Sequence, residues 1–290
     1  MSLFELERSN GEVSLDKLLG GEPVVGAKTD LSIEQIAEAI AVGGWPGWQE
    51  SSQGEALANV RGYLDEVARA DISRIDGKSR DPIKITGLLT SLARNVASHV
   101  STSALAADAG GSDGPLDSGT VREYLDSLER LMVVESQPAW RPHLRSRRQL
   151  RHAPKRHFVD PSLAVAALRA TPEHLLREIS ALGHLFESLV IRDLRIYGQA
   201  CAAQVSQYRD SSGLEVDAIV EGLDRRWAAF EVKLNPTRVD EAAAGLLRFA
   251  QNVDAGVMGE PATLGVITSG KYGFVREDGI AVIPIGALGP

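Results

Sequence analysis

The segment from Leu214 to Leu234 alternates with a period of two, and that period limits what it can join. Leu214, Val216, Ala218 and Val220 share one face of a strand. Ala228, Phe230, Val232 and Leu234 share one face of the next. These apolar faces are expected to meet a core. Asp217 falls on the opposite face of the first strand, and Glu231 and Lys233 fall together on that face of the second. Two carboxylates and an ammonium on one side of a hairpin can hold a divalent metal beside a phosphodiester. The plain reading is a solvent face carrying an ordinary surface ion pair.

A chain of 290 residues has room for two or three modules around this hairpin. Its 43% hydrophobic and 24% charged residues are those of an ordinary globular protein. No run approaches the roughly 18 apolar residues of a membrane span. Met1-Ser-Leu-Phe-Glu-Leu-Glu-Arg8 has neither the basic start nor the apolar stretch of a signal peptide. A cytoplasmic protein without membrane contact is expected. Cys201 is the single cysteine, which excludes an internal disulfide and a cysteine-based zinc site.

The net charge of −8 argues against a nucleic-acid binder that is basic all over. The cations are concentrated instead. Arg141, Arg145, Arg147, Arg148, Arg151, Lys155 and Arg156 fall in one stretch without an acid.

Three regions are expected along the chain. Residues 1–76 read as helical after an irregular start. Ser14 caps a short helix through Leu19, and Ser32 caps a longer one with Gln35 as its capping-box partner. Gly43-Gly-Trp-Pro-Gly-Trp48 breaks that helix, and its tryptophans are expected to plug a packing joint, the alternative being a stacking site for a nucleotide base. Gly21-Glu-Pro-Val-Val-Gly-Ala-Lys-Thr29 mimics a phosphate loop, but Ala27 displaces Lys28 and Thr29 by one position. No apolar strand precedes it, so it reads as a surface loop.

Residues 77–160 read as a winged helix-turn-helix. Ile85, Leu88, Leu89 and Leu92 stripe one helix, and Ser101 or Thr102 opens the next. Thr120 opens the third, with Glu123 as its partner. Met132–Glu135 and Arg156–Val159 would form the wing, with Arg145, Arg147, Arg148, Arg151 and Lys155 offered to DNA phosphates. Against this, Glu123, Asp126 and Glu129 on the third helix would repel phosphate if turned outward.

Residues 161–290 read as a long helix, three strands, a helix and two strands. The fold class is therefore α/β, or α+β overall, ending in a small mixed sheet flanked by helices. Glu187 on the long helix is placed to reach the Asp217 site.

Glu187, Asp217 and the Glu231-x-Lys233 pair resemble the PD-(D/E)XK, or restriction-endonuclease-like, superfamily. Val216 stands where its name has proline. More widely, the chain resembles the carboxy-terminal region of a family of prokaryotic AAA-type ATP-binding proteins. The residues that carry this are Gly43-Gly-Trp-Pro46, Thr120–Glu129, Lys155–Asp160, Gly183–Glu187, Glu215–Asp217 and Phe230–Lys233. The resemblance implies lid-like helices, a winged helix and a nuclease-like domain. It implies Asp217, Glu231, Lys233 and Glu187 as catalytic residues, with Mg²⁺ or Mn²⁺ on Asp217 and Glu231. The family's P-loop domain has no counterpart here, so a truncated or split relative without its own ATP site is expected. The first function expected is metal-dependent DNA cleavage or processing. The alternative is a non-catalytic DNA-binding or regulatory module, or a partner that docks on a separate ATPase subunit or on itself.

Overall fold

The structure, a computed structural model, describes residues 1–77, 80–111, 114–141 and 154–290. The helices are α1 (Leu15–Leu19), α2 (Ile33–Val42), α3 (Gln53–Glu66), α4 (Ile72–Asp76), α5 (Pro82–Arg94), α6 (Thr102–Ala109), α7 (Ser118–Arg130), α8 (Pro161–Ala167), α9 (Pro172–Arg177), α10 (Ile179–Ala200), α11 (Val239–Asn252) and α12 (Ala255–Met258). The strands are β1 (Val13–Ser14), β2 (Val134–Gln137), β3 (Lys155–Phe158), β4 (Ala203–Arg209), β5 (Glu215–Gly222), β6 (Trp227–Lys233), β7 (Thr263–Thr268), β8 (Phe274–Val275), β9 (Ala281–Pro284) and β10 (Leu288–Gly289). The class is mixed α and β. Among the described residues no helix is long and apolar enough to cross a membrane.

Contacts divide the chain into two compact units: Met1–Ile36 with Pro138–His152 and Val190–Pro290, and Ala37–Gln137 with Ala153–Leu189. Residues 1–36 gather with the carboxy-terminal sheet, through β1 paired in parallel with β10. The Leu3 N–H donates to Asp193 Oδ2 at 3.0 Å, and Ser9 Oγ donates to the Leu288 carbonyl at 2.7 Å. Asp193 is fully buried and is also held by Arg192 Nε and Nη2 at 2.9 and 2.7 Å. Burial, and then the Asp193 charge, raise the pKa of the Tyr197 hydroxyl, so it stays a donor beside that carboxylate.

The sheet of this unit has the order β4-β5-β6-β7-β9-β8. The pairs β4–β5, β5–β6 and β8–β9 are antiparallel, whereas β6–β7 and β7–β9 are parallel. A parallel pair needs a crossover, and α11 supplies it between β6 and β7. Leu246 and Phe249 of α11 cluster with Trp227, Ala229, Ile219, Val266 and Val282. Phe230, Val232 and Val220 are buried as well. Both faces of β6 are therefore covered. The expected division into an apolar inner face and a charged solvent face does not hold for this strand. β8 escaped the sequence reading because two residues carry no period.

In the other unit, α5, α6 and α7 precede the antiparallel strand pair β2–β3. Ser101 caps α6 as expected. α7 starts earlier than Thr120: Asp117 is its cap and accepts the Thr120 N–H at 2.9 Å. Glu123, Asp126 and Glu129 are exposed; Glu123 pairs with Arg80 at 2.9 Å, and Glu129 accepts Ser136 Oγ at 2.6 Å.

Gly43-Gly-Trp45 is clamped to the start of α8. Asp160 Oδ2 accepts the Gly44 N–H at 2.9 Å, and Trp45 Nε1 donates to Ser162 Oγ at 2.9 Å. Gly43 has φ +79°, and a Cβ there would strike Ser162 Oγ, Asp160 Oδ1 and Trp45 Nε1. The tryptophans do plug a joint, with Trp45 packed on Trp48 and Tyr63. Gly43→Ala is expected to destabilise this unit by about 2–4 kcal/mol, from the left-handed backbone and the overpacked clamp. Denaturant unfolding of the whole chain checks it; a midpoint equal to wild type would show that the clamp yields.

Candidate functional site

Strand β5 carries one extra residue against β4: the register passes from Ser206↔Ile219 to Tyr208↔Val216. A bulge of this kind bends a strand and re-aims its side chains. Val216 and Ile219, of opposite parity, consequently enter the same apolar cluster. Asp217 lies inside the bulge. The β5–β6 ladder extends to Ala218↔Phe230, and beyond it Asp217 Oδ2 accepts the Val232 N–H at 3.0 Å. A carboxylate thus takes the place of a ladder carbonyl.

On β6, Lys233 Nζ lies 2.7 Å from Glu231 Oε2 and 3.9 Å from Asp217 Oδ2. The three residues named from the sequence are brought together. They do not stand on an open solvent face: Asp217 is 6% and Glu231 8% exposed. At that depth the acids need their countercharge, because an unpaired buried carboxylate is costly.

Glu231 and Lys233 line a pocket of about 300 Å³. One wall is the loop Ser212–Glu215. The other is α11, where Glu241, Gly245 and Arg248 recur at one-turn spacing. A Cβ on Gly245 would meet no heavy atom within 4 Å, so the groove along α11 stays wide. Arg238 grips Glu241 through both carboxylate oxygens. That bond, aided by the Lys233 charge, holds the Glu241 carboxyl below the usual range. The loop is tied by Asp210, whose Oδ1 accepts Ser212 N–H at 2.8 Å, Ser212 Oγ at 2.6 Å and Leu214 N–H at 3.1 Å.

Glu187 Oε1 lies 2.5 Å from Lys155 Nζ, and both residues belong to the second of the two compact units. Lys155 is 2% exposed and committed to that pair, so it does not face solvent as a phosphate contact must. Next to it, His157 Nδ1 lies 3.2 Å from Ser188 Oγ and its Nε2 lies 3.2 Å from Gln137 Oε1. β3 is thus a buried polar strand rather than an outer wing edge. Arg145, Arg147, Arg148 and Arg151 lie outside the described residues.

Sequence reasoning missed Trp140, which precedes the basic run. Its N–H donates to the Gln207 carbonyl at 2.7 Å, and its Nε1 donates to Glu221 Oε2 at 2.7 Å. Its ring packs on Trp227 at 5.1 Å and on Phe249 at 6.0 Å, joining the cluster that seats α11. An isolated tryptophan has no period to betray it. Arg248 and Glu241 were also missed, since nothing in a helical repeat tells which turn faces a pocket.

Asp217 and Glu231 are the carboxylates that this site could offer a metal. Among the described residues no group of three His, Cys, Asp or Glu side chains is placed to bind one. A donor set of two carboxylates suits Mg²⁺ or Mn²⁺, which keep several waters.

A family model described as a domain of unknown function (DUF8612) matches residues 33–174, and another domain of unknown function (DUF4143) matches residues 182–288. The second match contains Asp217, Glu231 and Lys233. No curated protein and no solved structure matches the chain.

For Asp210, burial raises the carboxyl pKa, but the bonds from Ser212, Leu214 and Gly213 outweigh it, and the pKa lies below the usual aspartate value. With the folded value below the unfolded one, these bonds support the fold at neutral pH. They are lost as pH falls through the folded value. A carboxyl-detected NMR titration is expected to show a depressed midpoint for Asp210. Asp210→Ala should cost about 1–2 kcal/mol at neutral pH and speed amide exchange at Ser212 and Leu214. An ordinary midpoint with unchanged exchange would remove Asp210 as the tie of this loop.

Proposed function

We propose that this protein is a metal-dependent nuclease acting on DNA at the Asp217–Glu231–Lys233 site. The observation that carries this reading is the pairing of two nearly buried carboxylates through one ammonium at the edge of an open pocket. A structural ion pair has no need of a second acid from another strand, nor of a bulge to present it.

Asp217 and Glu231 would hold Mg²⁺ or Mn²⁺. When bound, the ion would acidify a water and neutralise charge on the scissile phosphate. The chain's own residues act around it. The Val232 N–H fixes the Asp217 carboxylate, so little reorganisation is left for the reaction. Lys233 supplies a fixed positive charge and donors to the phosphate or to the attacking water. Arg248, across the pocket, is placed for a neighbouring phosphate.

The alternative of a non-catalytic module reading DNA with α7 has less support. The exposed acids of α7 and the burial of Lys155 both oppose it.

Incubation of the full chain with single- and double-stranded DNA in Mg²⁺ or Mn²⁺ is expected to give cleavage that chelator abolishes. Asp217→Asn, Glu231→Gln and Lys233→Met should each lower the rate about 100-fold or more. Cleavage at equal rates in wild type and all three variants would assign the activity elsewhere. No cleavage of either DNA with either ion would reject the proposal.

A further inference from the structure

The second cavity of note lies in the unit without the sheet. Its volume is about 260 Å³, and it opens between α3, α5 and the end of α8. Leu64 and Leu89 give it an apolar wall. Its cationic side chains are Arg61 and Arg169, set against the single acid Asp65.

The two arginines are unusual in different ways. Arg61 Nη2 donates to the Ala170 carbonyl at 3.2 Å. Its Nε is buried and meets no acceptor among the described residues. Buried donors in native proteins are nearly always paired. Arg169 sits at φ +52°. The Ala170 N–H bonds to the Val165 carbonyl and the Arg169 N–H to the Ala166 carbonyl. That is a Schellman end to α8, with Arg169 at the position where glycine is favoured. A residue with a side chain carries strain in that conformation, and Arg169 carries it at the mouth of the cavity.

The threonines of the lining offer no competing donors. Thr86 Oγ1 donates to the Pro82 carbonyl at 2.8 Å, and Thr90 Oγ1 donates to the Thr86 carbonyl at 2.9 Å. Donation to a ligand therefore falls to the guanidiniums, whose planar fork matches an oxyanion.

We propose that this cavity is a binding site for a small organic oxyanion, held by Arg61 and Arg169 with its apolar body against Leu64 and Leu89. The site is independent of the nuclease reading. Both arginines lie in the stretch covered by the first family match, and neither was singled out by sequence pattern.

Calorimetric titration of the full chain with phenyl phosphate, benzoate and inorganic phosphate tests it. Phenyl phosphate or benzoate is expected to bind saturably, whichever is tighter naming the anion as phosphate or carboxylate. The Arg61 Nε–H resonance should shift on binding. Arg61→Lys keeps the charge but loses Nε, and should bind about tenfold or more weakly. Arg169→Gly should weaken binding similarly while leaving the melting temperature equal to or above wild type, because glycine suits that turn. That pairing of outcomes separates a ligand role from a structural one. Lack of saturable binding by either organic probe would overturn the proposal, as would wild-type affinity in both variants. Equal affinity for inorganic and phenyl phosphate would overturn the organic part of the assignment.

Discussion

The bond between the Asp217 carboxylate and the Val232 N–H is the contact on which the sheet's chemistry depends. An antiparallel ladder that loses a backbone acceptor leaves a buried donor at a cost of about 1–3 kcal/mol. Here a side chain replaces that acceptor where β5 bulges. The bulge turns Val216 and Ile219 into one cluster under α11, so the interruption is stabilised by packing as well as by the hydrogen bond. One irregular residue thereby seats a helix and fixes an acid.

Burial then sets the electrostatics. Asp217 and Glu231 are nearly removed from water, and two such carboxylates repel in a medium of low effective dielectric. Lys233 lies between them with part of its side chain still exposed. Its attraction to both acids is screened less than a surface pair would be, so it counts for more than an ordinary surface bridge. The same rule acts in the other unit. Lys155, although it comes from the most cationic stretch of the chain, is buried against Glu187 instead of facing solvent.

Much of this was legible in the chain, and the reasons are local. Ser14, and Ser32 with Gln35, announce helix starts through hydrogen bonds spanning three residues. Alternation from Leu214 to Leu234 marks two strands, and it places Asp217, Glu231 and Lys233 within reach of one another. What alternation cannot reveal is how many faces a strand buries. Trp227 and Ala229 share the side of Glu231, and only the crossover through α11 shows that this side is covered. The pairing of Val13 with Leu288 joins residues far apart through strands of two residues, which is too short for any pattern. Lys155 was misplaced for a related reason: a charge pattern gives a residue's sign but not its partner.

The position of the acids relative to α11 narrows what the site can admit. Bulky side chains at 242 and 245 would close the space between the helix and the Ser212–Glu215 loop, yet Ala242 and Gly245 stand there. Glycine in the middle of a helix costs about 1 kcal/mol against alanine, and Gly245 has no close neighbour that would forbid a methyl group. Packing therefore does not demand it. The helix accepts a weaker interior where it borders the pocket, one turn from Arg248 and across from Lys233. On the proposed reading, this open volume between Lys233 and Arg248 is where a phosphate-bearing chain would lie.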